Sequence, residues 1–206
     1  MSAAPKRTVA ASSDMRETKE TKWAKTVAAE IHSHLQNISP KYAADVAQKL
    51  CYANEVRQYT NDVAESIETK FETDILIYEW IDDATWTPRV VVETKVDSVT
   101  THDAITYSKK AQNHRVVHPF LRYGMFIGGI GNGGVPARLL RHGEAFDFMI
   151  AWKDLNPSKD EKQVLFDIIV SEVETSKRVE KALYNNRSKT RHKVTAYHRP
   201  LVQFDV

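Results

Sequence analysis

Residues 89–96 have the sequence RVVVETKV, which combines an apolar run with charged side chains. Three consecutive valines are typical of a strand buried in a sheet, yet Glu93 and Lys95 follow them at once. Side chains alternate between the two faces of a strand, so Glu93 and Lys95 share one face, about 6 to 7 Å apart along it. Burying a charge without a partner or a metal costs several kcal/mol, so both charges need an explanation.

The strand predicted before this one carries a third charged residue. Residues 68–80, ETKFETDILIYEW, alternate in polarity and are rich in isoleucine, phenylalanine and tyrosine. The short connection to residues 89–96 favours an antiparallel hairpin, in which Asp74 can lie close to Glu93. Taken without Asp74, Glu93 and Lys95 are more simply explained as an ion pair at the end of a half-exposed strand.

Helical and strand-like periods alternate along the rest of the chain. Apolar residues recur every four positions from Trp23 to Leu35, which predicts a first helix that begins at Lys19. We expect Ser39-Pro40 to begin a second helix. The second helix would carry its apolar stripe at Tyr42, Val46 and Leu50. Later in the chain we predict helices over 101–118 and 158–183 and strands over 122–130 and 146–152. This order predicts an α/β domain whose mixed central sheet is flanked by helices.

Composition separates both ends of the chain from this domain. Residues 1–18 are small, polar and aperiodic, which predicts a disordered N-terminal tail. Residues 19–185 form the predicted domain, and residues 186–206 form a basic C-terminal extension. The stretch 185–200 contains lysine and arginine but no acidic residue.

The totals of the chain limit the classes of protein to which it can belong. With 206 residues, 42% of them hydrophobic, the chain can form one globular core. A single cysteine, Cys51, excludes an internal disulfide framework and a cysteine-based zinc site. No apolar run approaches the roughly 18 residues that cross a membrane, and we see no signal peptide, so a cytoplasmic protein without a membrane partner is expected. The net charge of +2 does not by itself indicate a nucleic-acid binder.

Two carboxylates and a lysine at one point suit the chemistry of phosphodiester hydrolysis. A pair of carboxylates binds a hard divalent cation such as Mg²⁺, which prefers oxygen ligands and keeps several waters. The metal polarises a phosphate oxygen and activates water. A lysine beside it can orient or deprotonate that water, or neutralise charge on the scissile phosphate.

Asp74, eighteen intervening residues and then Glu93-Thr94-Lys95 on an apolar strand resemble the PD-(D/E)xK nuclease superfamily. This superfamily includes type II restriction endonucleases, Holliday-junction resolvases and DNA-repair nucleases. The resemblance covers roughly residues 20–130 and implies a restriction-endonuclease-like core of a helix, three meander strands, a helix and a strand. Thr73 stands where the family name has proline.

The resemblance also implies roles for individual residues. Asp74, Glu93 and the Thr94 carbonyl would bind Mg²⁺, for which Mn²⁺ can substitute, and Lys95 would be the catalytic lysine. Many members add a carboxylate from the first helix, for which Glu30 and Glu55 are the candidates. Lys109, Lys110 and Arg115 follow the strand of Glu93 and Lys95, and we expect them to contact the DNA backbone.

The function implied is that of a metal-dependent DNA endonuclease of the restriction type. Such enzymes commonly act on double-stranded DNA as homodimers, because a two-fold protein matches a two-fold site. A Holliday-junction resolvase or DNA-repair nuclease of the same fold is the first alternative. A non-catalytic DNA-binding protein with a nuclease-like fold is the second.

A glycine-rich stretch offers a different interpretation. GGIGNGG, residues 128–134, contains the G-x-G-x-x-G pattern of a dinucleotide-binding loop. Pro136 and the residues after it allow only a short helix, and Asp147 does not end a ribose-binding strand. A flexible loop near the DNA-binding face, with a backbone that can approach phosphates closely, is therefore favoured over a nucleotide-binding oxidoreductase.

Overall fold

The computed structural model describes residues 17–184, Ala196 and residues 202–204. Nearly all of the predicted N-terminal tail and most of the predicted basic extension lie outside the described residues. The helices and strands, in chain order, are α1 Lys19–Ile38, β1 Tyr42–Thr60, β2 Val63–Trp80, β3 Trp86–Val96, α2 Thr101–Val117, β4 Arg122–Gly128, α3 Ala137–His142, β5 Phe148–Ala151 and α4 Lys159–Tyr184.

The strands form one mixed sheet of five strands in the order β1-β2-β3-β4-β5. The first three strands are an antiparallel meander, whereas β4 runs parallel to β3 and β5 runs parallel to β4. The hairpin predicted between the strands of Asp74 and Glu93 is confirmed, since Ile75 on β2 pairs with Val92 on β3. The parallel step from β3 to β4 requires a crossover, which α2 provides.

Helices cover both faces of the sheet, which confirms the predicted α/β class. On one face α1 and α4 pack in a cluster that contains Val90 and Val92 of β3. On the other face Val91 packs in a cluster with Ala111 of α2. Neighbouring side chains of β3 therefore enter opposite layers, as the strand period predicts. Glu93, two residues after Val91, lies in the α2 layer and has no exposed surface, so the simpler explanation of an ion pair at the end of a half-exposed strand does not apply to it.

The predicted helix after Pro40 is wrong, because this segment forms the edge strand β1. Tyr42, Val46 and Leu50 are four apart, a spacing that fits a helix stripe. In the strand they do not share a face, because Tyr42 and Val46 pack in the cluster of α1 and α4 and Leu50 packs in the cluster of α2. In the folded chain β1 pairs with β2 from Tyr42 to Thr60, so hydrogen bonds between the two strands of this hairpin override the local helical preference. A two-residue turn at Asn61-Asp62, both with positive φ, joins the two strands.

The outer half of this hairpin projects beyond the core. Every side chain from residue 54 to residue 72, here called the hairpin arm, is exposed. Its basic and acidic side chains are Arg57 and Lys70 against Glu55, Asp62, Glu65, Glu68 and Glu72. The arm is thus acidic overall, which disfavours it as a surface for phosphate groups.

Gly124 permits β4 to pack closely against β5. A Cβ atom at this position would lie 2.2 Å from Cε2 of the Phe148 ring. We expect Gly124→Ala to lower the free energy of unfolding by about 3 kcal/mol, because neither the strand nor the ring can move without opening the core. Denaturant unfolding measures the change. Gly133→Ala is the matched control, since its Cβ would meet only Ile130 Cγ1 at 4.0 Å. Equal losses in the two variants would contradict this packing.

Candidate active site

Asp74 directly precedes Ile75 on β2, and Glu93 directly follows Val92 on β3. Because Ile75 pairs with Val92 in an antiparallel ladder, Asp74 and Glu93 lie next to the same end of that pair. The side chain of Asp74 is fastened to β3 by Thr94. The Thr94 N–H donates to Asp74 Oδ2 at 2.7 Å and the Thr94 hydroxyl donates to the same oxygen at 3.1 Å. Both hydrogen bonds use Oδ2, which leaves Oδ1 available to another group. The structure therefore brings these two predicted site residues together.

The Glu93 carboxylate is fully buried and only half satisfied. Its Oε1 accepts hydrogen bonds from Lys110 Nζ at 2.7 Å and from the Tyr123 hydroxyl. Its Oε2 has no hydrogen-bond partner among the described residues. A buried acceptor without a donor loses its hydration with no replacement, so such an atom needs an explanation.

The surroundings of Glu93 favour its neutral form. Burial is the largest cause and the nearby charge of Asp74 is the next, and together they raise the pKa of Glu93 to about 7. Lys110 and Tyr123 act in the opposite direction but do not outweigh these effects. A second cation beside the carboxylate would stabilise the charged form.

Lys95 lies at the end of β3 between the two helical layers. Its side chain is 15% exposed, and Nζ donates to Glu20 Oε1 at 2.9 Å. The same ammonium lies 5.0 Å from the centre of the Tyr107 ring on α2. Burial opposes the charge, yet hydrogen bonds with Glu20 and Tyr107 outweigh it and raise the pKa of Lys95. Lys95 is therefore a cation at neutral pH.

The helix carboxylate at the site is Glu20, which sequence reasoning missed. Glu20 lies in the first turn of α1, after the N-cap Thr18, where a negative charge is stabilised by the helix dipole. Neither of the two candidates from the sequence is placed there. Glu30 pairs with Lys162 at 2.9 Å, and Glu55 lies in the hairpin arm. The acid in the first turn is the signal that could have identified Glu20.

The three cations predicted to face DNA have three different environments. Lys109 is exposed and donates to Gln112 at 3.3 Å. Lys110 points inward to Glu93. Arg115 is partly buried and pairs with Asp147 at 2.7 Å. Contact with DNA stays a prediction for all three.

The donor set fits a hard divalent cation. Within residues 17–184 and the few others described, no three side chains of His, Cys, Asp or Glu surround a common point. The oxygens that the resemblance assigns to the metal are those of Asp74 and Glu93, together with the backbone carbonyl of Thr94. Two carboxylates and a carbonyl, completed by water, suit Mg²⁺ because it retains much of its hydration shell.

The glycine-rich stretch lacks the structure of a dinucleotide-binding loop. Gly131–Gly133 is a single 3-10 turn after β4, and α3 begins only at Ala137 and ends after six residues. No helix N-terminus therefore directly follows the glycines to bind a pyrophosphate. The expected short helix after Pro136 is confirmed.

No protein-family model matches the chain, and no curated protein matches its sequence significantly. None of the helices in the described part of the chain is long and apolar enough to cross a membrane.

Proposed function

We propose that the chain is a metal-dependent DNA endonuclease of the restriction type, with a restriction-endonuclease-like core and a homodimeric active form. The order of α1, three meander strands, α2 and β4 supports the proposed core, because it is the order that the resemblance implies. The positions of the predicted residues support the activity. Asp74, Glu93 and Lys95 lie where the pairing of β2 with β3 ends, and there Lys95 contacts both Glu20 of α1 and Tyr107 of α2.

The unpartnered Oε2 of Glu93 is the observation that carries the proposal. Each of the two carboxylates has one oxygen held by protein donors, Glu93 through Oε1 and Asp74 through Oδ2. Hydrogen bonds of this kind orient metal-binding carboxylates in proteins. Within the part of the chain that the structure describes, the other oxygen of each accepts no hydrogen bond, and a cation there would remove the penalty of the buried, unsatisfied Oε2.

The residues of the chain then have separate roles in phosphodiester hydrolysis. Asp74, Glu93 and the Thr94 carbonyl would hold the metal. When bound, Mg²⁺ supplies an activated water and polarises the phosphate. The Lys95 ammonium, kept charged by Glu20, can donate a hydrogen bond to the scissile phosphate and offset its growing negative charge. Among the roles open to this lysine, its cationic state favours the stabilisation of phosphate charge over proton abstraction.

Cleavage of DNA in the presence of Mg²⁺ or Mn²⁺ tests this function. Wild-type protein is expected to cut supercoiled plasmid, and Lys95→Ala to lower the rate by about 100-fold or more. Lys181→Ala, an exposed position on α4, is the matched control and should cut at the wild-type rate. Discrete fragments would support a restriction-type enzyme, whereas cleavage of branched DNA alone would favour a resolvase. Failure to cut linear, supercoiled and branched DNA with either metal would contradict an enzymatic function.

A further inference from the structure

Lys110 occupies an unusual position for a lysine on a surface helix. Its ammonium donates to Glu93 Oε1 at 2.7 Å and to the Glu72 carbonyl at 2.9 Å. The rings of Phe71 and Tyr107 lie on other sides, with centres at 5.9 and 5.6 Å. Its side chain is only 16% exposed. These contacts hold a flexible cation in one position, at the expense of its side-chain entropy.

The charges around Glu93 determine what the Lys110 ammonium does to the two carboxylates. The fully buried Glu93 lies near the partly buried Asp74, and Lys110 forms an ion pair with Glu93. In the absence of a metal the ammonium reduces the repulsion between the two carboxylates. A divalent cation at Glu93 Oε2 would bind the same carboxylate as the Lys110 ammonium. The cation and the ammonium are both positive, so they would repel each other across this one carboxylate.

We propose that Lys110 is a built-in counter-ion of Glu93 that stabilises the metal-free site and competes electrostatically with the divalent metal. This inference rests on the proposed function, since it requires a metal site at Asp74 and Glu93. Lys110 is in this sense a positioning residue, because it acts through Glu93. A bound metal would neutralise the Glu93 carboxylate. The ion pair between Lys110 and Glu93 would then weaken.

A second effect of Lys110 runs the opposite way and is weaker. The ammonium also orients the Glu93 carboxylate, and loss of orientation weakens a metal site. The Tyr123 hydroxyl donates to the same Oε1 and would keep this oxygen in place without the lysine. For the ionised Glu93 carboxylate the electrostatic effect therefore dominates, and at a pH where Glu93 is ionised removal of the charge is expected to tighten metal binding.

Mn²⁺ binding to the full chain tests the inference, with free Mn²⁺ measured by electron paramagnetic resonance. Lys110→Met keeps the apolar stem without the charge, and we expect its Kd for Mn²⁺ to fall about tenfold. Lys109→Met is the matched control, because the neighbouring lysine is exposed and makes no contact with Glu93. Its Kd should equal that of the wild type. Thermal unfolding should show a lower Tm for Lys110→Met in EDTA and a larger rise in Tm on addition of Mn²⁺.

Two further variants separate charge from orientation and protect the test against misfolding. Lys110→Gln retains a hydrogen-bond donor but no charge and should also bind Mn²⁺ more tightly. Lys110→Arg retains the charge and should bind it as the wild type does. An unchanged or higher Kd in both Lys110→Met and Lys110→Gln would overturn the role of Lys110.

The failure of this inference is distinguishable from failure of the proposed function. If the wild type binds Mn²⁺, and Asp74→Asn abolishes that binding, the metal site stands whatever Lys110→Gln does. If neither the wild type nor the Lys110 variants bind Mn²⁺, and no DNA is cut, the metal site itself is wrong and the inference falls with it.

Discussion

Glu93→Gln is expected to abolish DNA cleavage and, at the same time, to make the metal-free protein more stable at alkaline pH. The amide is nearly the same size as the carboxyl group and can still accept from Tyr123 and Lys110 at its oxygen. It cannot offer a charged oxygen to a metal, so we expect the cleavage rate to fall by about a thousandfold or more. A residue retained at the expense of stability is typical of a functional site.

The direction of the stability change follows from the pKa of Glu93. The pKa is about 7 in the folded protein, above the ordinary value of 4.5. Between these pH values the folded state binds more protons than the unfolded state, so stability is lost as pH rises through this range. Gln carries no charge at either end of the range. Relative to wild type, Glu93→Gln should therefore gain about 2 to 3 kcal/mol of unfolding free energy between pH 5 and pH 8.

Urea unfolding in EDTA at the two pH values measures this gain, and plasmid cleavage measures the loss of activity. Glu68→Gln is the matched control, because Glu68 is an exposed carboxylate of the hairpin arm. It should show neither effect. A Glu93→Gln variant whose stability relative to wild type is the same at both pH values would show that Glu93 is not held in an environment that disfavours its charge.

The sequence predicts those features of the site that follow from strand geometry. The alternation of side chains places Glu93 and Lys95 on one face, and pairing of two neighbouring strands places Asp74 beside Glu93. Both rules act over short distances in the chain, and the structure agrees with them at Ile75–Val92. The α/β class follows from the same alternation of periods.

The contacts that complete the site depend on packing between distant elements. Glu20 on α1 reaches Lys95 across 75 positions of the chain, and Lys110 reaches Glu93 from α2 across 17 positions. The pattern of apolar residues in α2 does not predict which of its basic side chains points toward Glu93. Lys109 and Lys110 are adjacent and chemically identical, and only the direction of each side chain on the helix separates an exposed lysine from one held at Glu93.

Asp147→Ala is expected to produce a large loss of stability, because it breaks a mostly buried ion network. Asp147 pairs with Arg115 at 2.7 Å and Arg122 at 2.8 Å, and it accepts the Tyr123 N–H at 2.8 Å. Arg122 is 8% exposed and also pairs with Glu172 of α4. Removal of the carboxylate takes one acceptor away from both arginines and from the Tyr123 N–H in a poorly solvated position, so we expect a loss of about 3 to 5 kcal/mol.

Denaturant unfolding of Asp147→Ala beside Asp167→Ala measures this loss. Asp167 is an exposed carboxylate of α4 and should change stability by no more than about 0.5 kcal/mol. The loss in Asp147→Ala should persist in high salt, because screening acts mainly on exposed charges. The same network fixes the backbone of Tyr123, the residue whose hydroxyl holds Glu93. A destabilisation that is small or that disappears in salt would mean that the network is solvated, and the support it gives to the Glu93 carboxylate would then be weak.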